Sequence, residues 1–390
     1  MVKPAVLIFL PHYLPGYQSG GPVRTIANLV EHLGDELNFC IVTRDRDALD
    51  DAPYADVEVD AWNRVGKARV FYGSPNALTL RGIARLLRRT PHDVLYLNSF
   101  FDPRFTGLPL LVQRLGLVQR RPCVLAPRGE FSSGALMLKS GKKRAYLWLA
   151  RSLGVYSNLT WQASSRYEAE DTERALGENA SRIVVAPNLP PATVAAPSEE
   201  PRTVNEDGPS RVVFLSRITA MKNLDFALRV LARVTVKVIF DIYGPIRDEP
   251  YWHQCEALIE EMPEHVSVQY RGSIDPSEVP GVMASYDLFF LPTLGENYGH
   301  VIPEALVVGT PVLISNATPW RDLKKEGVGW DLPLQAGEAA FAACIEELAR
   351  MDPKALCVWR RHTAAYAASR LSDPESVNAN RQLFLTAAGR

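Results

Sequence analysis

Residues Leu294–Ser315, LGENYGHVIPEALVVGTPVLIS, set two carboxylates, Glu296 and Glu304, around a glycine, a histidine and a proline. A carboxylate is an acceptor-only fork, suited to the paired hydroxyls of a sugar or a ribose. Asn297, Tyr298, Gly299, His300, Val301 and Ile302 lie between the two acids and are candidates to line the same ligand. Pro303 fits the first position of a short helix and Gly309 the position past its end. Amides from Gly299 to Ile302 would then point out of the helix start, where a phosphate is favoured. Each acid alone has a simpler explanation: Glu304 offsets the helix dipole, and Glu296 is a solvated loop acid. Together, behind a strand end, they favour a ligand grip. FLSRITAMKN, Phe214–Asn223, adds Arg217 and Lys222 after another strand, a pair of cations able to clamp a diphosphate. The alternative is two ordinary surface charges.

Two further stretches carry candidates. PHYLPGYQSGGPVRTIANLV places Gly20 and Gly21 before a helix that begins at Pro22, with Arg24 in its first turn. Paired glycines let a ligand approach the backbone, but a plain tight turn reads equally well. APRGEF places Arg128 and Glu130 at a strand end, to hold an acceptor or to pair with each other. Of the seven histidines only His12 and His300 fall in such loops. There is no Gly-x-Ser-x-Gly, no phosphate loop of the Walker type, no HExxH and no close His or Cys cluster, so no metal site is expected.

The elements that must position these residues follow from periodicity. Short apolar runs at 5–10, 39–43, 68–73, 93–98, 123–127, 159–164 and 182–187 alternate with stretches of three- and four-residue spacing. After a Pro-, Ser- and acid-rich stretch, the rhythm restarts with runs at 212–216, 236–244, 266–272, 287–292 and 311–315. Strand and helix in alternation imply parallel sheets covered on both faces. The expectation is two α/β domains, residues 1–186 and 211–372, joined by a linker at 187–210, with a cleft between the carboxyl ends of their sheets. Ligands in open α/β sheets bind at those ends. Strand order is not legible from the pattern, and the chain from about Gly337 onward reads as helix.

The chain has 390 residues, 47% of them hydrophobic and 22% charged, with a net charge of −1, which gives no general attraction to nucleic acid. The five cysteines are scattered, as reduced thiols would be. MVKPAVLIFLP is too short for a signal peptide or a span, so a cytoplasmic location is expected. Charge is uneven: Arg81–Arg151 holds 14 basic and three acidic residues.

FLSRITAMKN followed by LPTLGENYGHVIPEALVVGTPVLIS resembles the family 4, or group 1, retaining glycosyltransferases, and GGPVRTIANLV looks like their N-terminal glycine loop. The resemblance implies two Rossmann-like domains in the B-type glycosyltransferase architecture (GT-B), with the last helix, about 373–390, crossing back to the N-terminal domain. It implies a nucleotide-sugar donor in the C-terminal domain, an acceptor in the N-terminal domain and no metal or other cofactor. Carried over by position, Glu296 and the amides of Asn297–Gly299 would meet the transferred sugar. Glu304 would accept from the ribose, and Arg217 and Lys222 would hold the leaving diphosphate. Gly244, Gly272 and Ser273 would lie near the nucleotide, and Gly20 and Gly21 against phosphate or acceptor. Many relatives have a histidine where this chain reads APRGEF with Arg128, which looks like a subgroup of surface polysaccharide assembly.

Acceptors in such pathways are often lipid-linked. The basic, apolar stretch 139–151, with Trp148, and the arginines of 81–89 would suit a peripheral site on anionic lipid at the inner membrane face. A helix with an apolar core face and a solvated basic face fits equally. The other functional readings are a sugar-nucleotide epimerase on the same fold and a catalytically silent nucleotide-sugar-binding protein.

Overall fold

The computed structural model describes residues 3–16, 18–48, 50–137, 140–152, 155–180, 182–191 and 208–390. The chain divides into two compact units, Met1–Ala192 with Asp373–Arg390, and Thr193–Ser372.

Among the described residues, the first unit is built on eight strands: β1 (Ala5–Phe9), β2 (Asn38–Arg44), β3 (Trp62–Val65), β4 (Ala68–Gly73), β5 (Val94–Asn98), β6 (Cys123–Ala126), β7 (Thr160–Ala163) and β8 (Ile183–Val185). Their order is β3-β4-β2-β1-β5-β6-β7-β8. All neighbours are parallel except the β3–β4 hairpin at the edge. Side chains alternate across a strand, and β1 shows the result. Val6 and Ile8 enter an apolar cluster with Leu29 and Leu33 of helix Gly21–Leu33. Leu7 and Phe9 enter another, with Ile83 and Leu87 of helix Leu80–Arg89. The last helix, Pro374–Ala387, covers the first of these faces. Phe384 packs edge-on against Tyr96 and Phe39 at 5.1 and 6.3 Å, and Arg381 forks onto Glu36 at 2.6 and 2.8 Å.

The second unit has β9 (Ser210–Leu215), β10 (Val238–Tyr243), β11 (Val266–Gly272), β12 (Leu288–Leu291), β13 (Val312–Ser315) and β14 (Gly329–Leu332). The order is β11-β10-β9-β12-β13-β14, all parallel. In order of appearance this is 3-2-1-4-5-6, the doubly wound arrangement with a switch point between its first and fourth strands. The chain beyond Gly337 forms helices Glu338–Ala349 and Pro353–Leu371 before the last one.

Three expectations change. β3 and β14, four residues each, were not legible as strands. The helix of the opening stretch runs Val301–Val307, so Pro303 sits third, where its missing N–H still costs no internal bond. Most of the expected linker, 192–207, lies outside the described residues, but its start is tied to the first unit. The carbonyls of Pro187 and Leu189 accept from Asn380 and Asn28, at 2.7 and 2.8 Å.

Candidate functional site

Because β9 to β14 are parallel, the loops after them emerge on one edge of the second unit. Arg217 and Lys222 follow β9, Glu296 follows β12, and these two strands are neighbours at the switch point. Gly244 and Arg247 follow β10, and Ser273 follows β11. One edge therefore carries every residue expected to grip a donor.

The loops are pinned to each other before any ligand arrives. The Leu294 amide donates to the Met221 carbonyl at 2.9 Å, and the Thr293 hydroxyl to the same carbonyl at 3.0 Å. Asn223, in the left-handed conformation at φ 60°, donates its side-chain amide to the Pro292 carbonyl at 2.9 Å. From the other side, the Glu296 amide donates to Ala317 at 2.9 Å, and the Trp320 indole donates to the Tyr298 carbonyl at 2.7 Å. Gly299 takes φ 71°, where a side chain is strained, and a Cβ there would lie 2.8 Å from the end of the Ile302 side chain, so glycine is favoured.

Within this frame Lys222 forms an ion pair with Glu296. Their side chains are 10% and 15% exposed, so water screens the pair weakly. Lys222 is thus not an independent diphosphate cation, nor Glu296 an independent sugar acceptor; each holds the other in place. An ammonium carries three donors and a carboxylate two oxygens, so both retain capacity for a ligand. Arg217 is exposed, and its pKa is lowered by desolvation, raised by Glu296 and lowered again by Arg247. A guanidinium open to water yet crowded by protein and by a second cation is well placed to receive an anion.

Glu304 is half-buried in the first turn of Val301–Val307, eight residues beyond Glu296. The expected row of free amides is shortened: the Ile302 N–H donates to the Gly299 carbonyl at 2.8 Å, and that of Glu304 to His300 at 3.3 Å. The His300 ring stacks edge-on to Tyr298 at 4.9 Å. Val301, like Ile302, is part of the helix itself. Gly244 is a structural requirement, since a Cβ there would sit 1.8 Å from the Ser216 carbonyl oxygen. Gly272, at φ 78°, has open space where a Cβ would be, and Ser273 beside it is exposed, so a flat group has room there.

The candidates of the first unit behave differently. Gly20, at φ 71°, caps helix Gly21–Leu33, and the Arg24 amide returns to its carbonyl at 3.5 Å. Arg128 and Glu130 neither pair nor stand free. The Arg128 guanidinium donates to Asn98 at 2.6 and 3.1 Å, to Asn188 at 2.7 Å and to the Tyr96 hydroxyl at 2.6 Å. Four of its five donors are spent inside its own unit. Tyr96 donates onward to Gln162, whose amide reaches the Ala186 carbonyl at 3.0 Å and Asn380 of the last helix at 3.3 Å. Glu130 accepts from the Ser99 hydroxyl at 2.7 Å and from the amides of Phe100 and Phe101 at 2.5 and 3.2 Å; burial pushes its pKa up. Ser99 and Arg128 hold φ of 146° and 57°, strained for non-glycine residues. These residues organise the strand ends, and the network leaves one Arg128 donor unspent.

Comparison with known proteins decides the family. Residues 197–356 match the family described as "Glycosyl transferases group 1", and residues 20–189 match the "Glycosyl transferase 4-like domain". The chain belongs to the group 1 glycosyltransferases. It is 23% identical over 310 residues to an uncharacterized 41.2 kDa protein in the cps region of Klebsiella pneumoniae, covering 77% of this chain and 81% of that one. It is 26% identical to the 2-deoxystreptamine glucosyltransferase of Streptomyces kanamyceticus over 42% of this chain and 43% of that protein. Among solved structures, Alr3699/HepE of Anabaena in complex with UDP and glucose superposes with a TM-score of 0.69 at 16% identity, covering all of both chains. Sucrose-phosphate synthase of Thermosynechococcus elongatus reaches 0.72 at 17% identity, over 99% of this chain and 100% of that one. Both show that the fold is GT-B, two Rossmann-like domains.

In this group 1 glycosyltransferase, sequence reading missed Arg247, brought beside Arg217 by the pairing of Ile218 with Ile246. A signal was present: a glycine, a proline and a cation directly after a strand, GPIR. Thr293, Asn223 and Trp320 were missed too, since their role is to hold loops and lies in long-range bonds.

Proposed function

We propose that the protein is a retaining glycosyltransferase that moves a sugar from a nucleoside-diphosphate sugar to a glycan or lipid-linked acceptor, in surface polysaccharide assembly. The observation that carries this is the Lys222–Glu296 pair at the switch point, with Arg217 and Arg247 beside it and Glu304 at the following helix. In this reading Glu296, with the backbone of Asn297–Gly299, meets the sugar, and Glu304 accepts from the ribose. Gly272 and Ser273 leave room for the base. Lys222, Arg217 and Arg247 neutralise the diphosphate as the glycosidic bond breaks, so the charge that develops meets fixed cations and no metal is needed. The leaving phosphate oxygen then takes the acceptor's proton on the same face, which retains the anomeric configuration. The UDP and glucose bound to HepE support a nucleotide-sugar donor, and the cps-region relative supports the pathway. The epimerase and silent-binder readings gain no comparable support. Incubation with a panel of nucleotide sugars, followed by proton NMR of the released or transferred sugar, tests the reaction. The donor's anomeric configuration is expected in the first product formed; inversion would overturn the mechanism.

Membrane contact through the basic patch belongs to the same proposal. Among the described residues no helix is long and apolar enough to cross a membrane. Arg81, Arg85, Arg88 and Arg89 are exposed on helix Leu80–Arg89, and Trp148 is 69% exposed. Lys143 is turned inward, donating to the Ala135 carbonyl at 2.5 Å. Lys139 and the side chains of Lys142, Arg144, Leu149 and Arg151 lie outside what is described. Sedimentation with phosphatidylserine-containing liposomes is expected to pull the protein down at low salt and release it at high salt. Binding indifferent to salt and to anionic lipid would exclude this contact.

A further inference from the structure

The first unit holds a cavity of about 450 Å³ that the donor site does not use. It opens at the carboxyl ends of β2 and β4 and beside the turn after β5, where strand ends gather ligands. Its chemistry is set by three arginines and two acids: Arg44, Arg46, Arg104, Asp45 and Asp102.

The acids are already committed. Asp45 is buried and takes a two-pronged bond from Arg46, at 2.8 and 3.1 Å, and Arg46 spends its remaining arm on the Asp51 carbonyl. Asp102 caps the turn after β5, accepting from the amides of Arg104 and Phe105 at 2.8 and 2.6 Å. Arg44 and Arg104 are the cations left over. The Arg44 guanidinium lies over the Phe105 ring at 5.7 Å, and its Nε is buried without a hydrogen-bond partner among the described residues. A buried donor of this kind is costly unless something accepts from it. Arg104 is exposed at the rim and makes no ion pair among the described residues. One fixed, half-buried guanidinium and one free one across an open cavity suit a planar or tetrahedral oxyanion. The volume leaves room for the sugar that carries it.

We infer that this cavity is the anion subsite of the acceptor, in which Arg44 and Arg104 hold a phosphate or carboxylate borne by the accepting sugar. The inference rests on the proposed transferase activity for its meaning, but its binding chemistry is separate from the donor site.

The test is calorimetry on the full chain saturated with UDP, which fills any phosphate seat at Arg217 and Lys222. Glucose 6-phosphate, glucuronate and glucose are the probes. At least one of the two anions is expected to bind and glucose is not. A tighter glucose 6-phosphate assigns a phosphoryl acceptor, and a tighter glucuronate assigns an acidic sugar. Arg104→Gln, an exposed change that leaves packing untouched, is expected to weaken the anion about tenfold. Arg44→Gln with Arg104→Gln is expected to abolish binding while the affinity for UDP stays as in the wild type. Glucose binding as tightly as the anions, neither anion binding, or both variants matching the wild type would overturn the subsite. Absence of UDP binding in the same experiment would count against the donor site instead, and the anion arms would then be read without UDP.

Discussion

Replacing Lys222 by alanine is expected to lower kcat/KM by a factor of about 10² to 10³. That range is what one preorganised charge-stabilising donor contributes when charge develops against it in a shielded site. Two effects act together here. The diphosphate loses a cation as it departs, and Glu296 loses its ion-pair partner, keeping the neighbouring Arg217. The pair is shielded enough that its loss also reaches stability, by up to about 3–5 kcal/mol for a fully buried pair. The two contributions separate in the double variant Lys222→Ala, Glu296→Gln. Its melting temperature should recover much of the loss, because no charge is stranded. Its rate should not recover, because the cation is still missing and the sugar contact proposed for Glu296 is altered as well. Steady-state kinetics beside a thermal melt reads both, and a double variant as active as the wild type would remove Lys222 from the chemistry.

The second large effect is expected at Glu304. If its carboxylate accepts from the ribose hydroxyls, Glu304→Ala removes charge-assisted hydrogen bonds worth about 1.5–3 kcal/mol, a roughly 10- to 150-fold loss of affinity for a nucleoside diphosphate. Inorganic pyrophosphate has no ribose and should bind both proteins alike. The fold should stand: Glu304 is only half-buried, and the dipole interaction it gives up is worth about 0.3–1 kcal/mol. Equal loss of nucleotide and pyrophosphate would place Glu304 at the phosphates and refute the ribose assignment.

The sequence carried the fold well where local rules dominate. The run read at 68–73 is the strand β4, five of whose six residues are buried, as a near-continuous apolar run requires; the run at 266–272 is β11, an edge strand whose alternating Val266 and Val268 mark its covered face. β3 escaped because WNRV, at the sheet edge, has one side chain exposed and none fully buried, so no apolar pattern marks it. The site was legible as residue types behind strand ends, but not as partners. Lys222 and Glu296 are 74 positions apart and meet only because β9 and β12 are neighbours, and strand order follows from long-range packing. The same limit hid the surroundings of Arg128. Among strand ends it resembled a ligand cation, but Asn98, Tyr96 and Asn188, 30, 32 and 60 positions away, converge on its guanidinium. A cation's availability is set by what the fold brings to it, and a lone motif does not show that.

The central claim, that the second unit grips a nucleoside diphosphate between Lys222 and Glu304, is tested most directly by calorimetric titration of UDP, GDP and ADP into the wild type, Lys222→Ala and Glu304→Ala. One of the three nucleotides is expected to bind the wild type with a 1:1 stoichiometry and to lose at least about tenfold in affinity in each variant. Failure of all three to bind, or equal binding to the wild type and both variants, would contradict it.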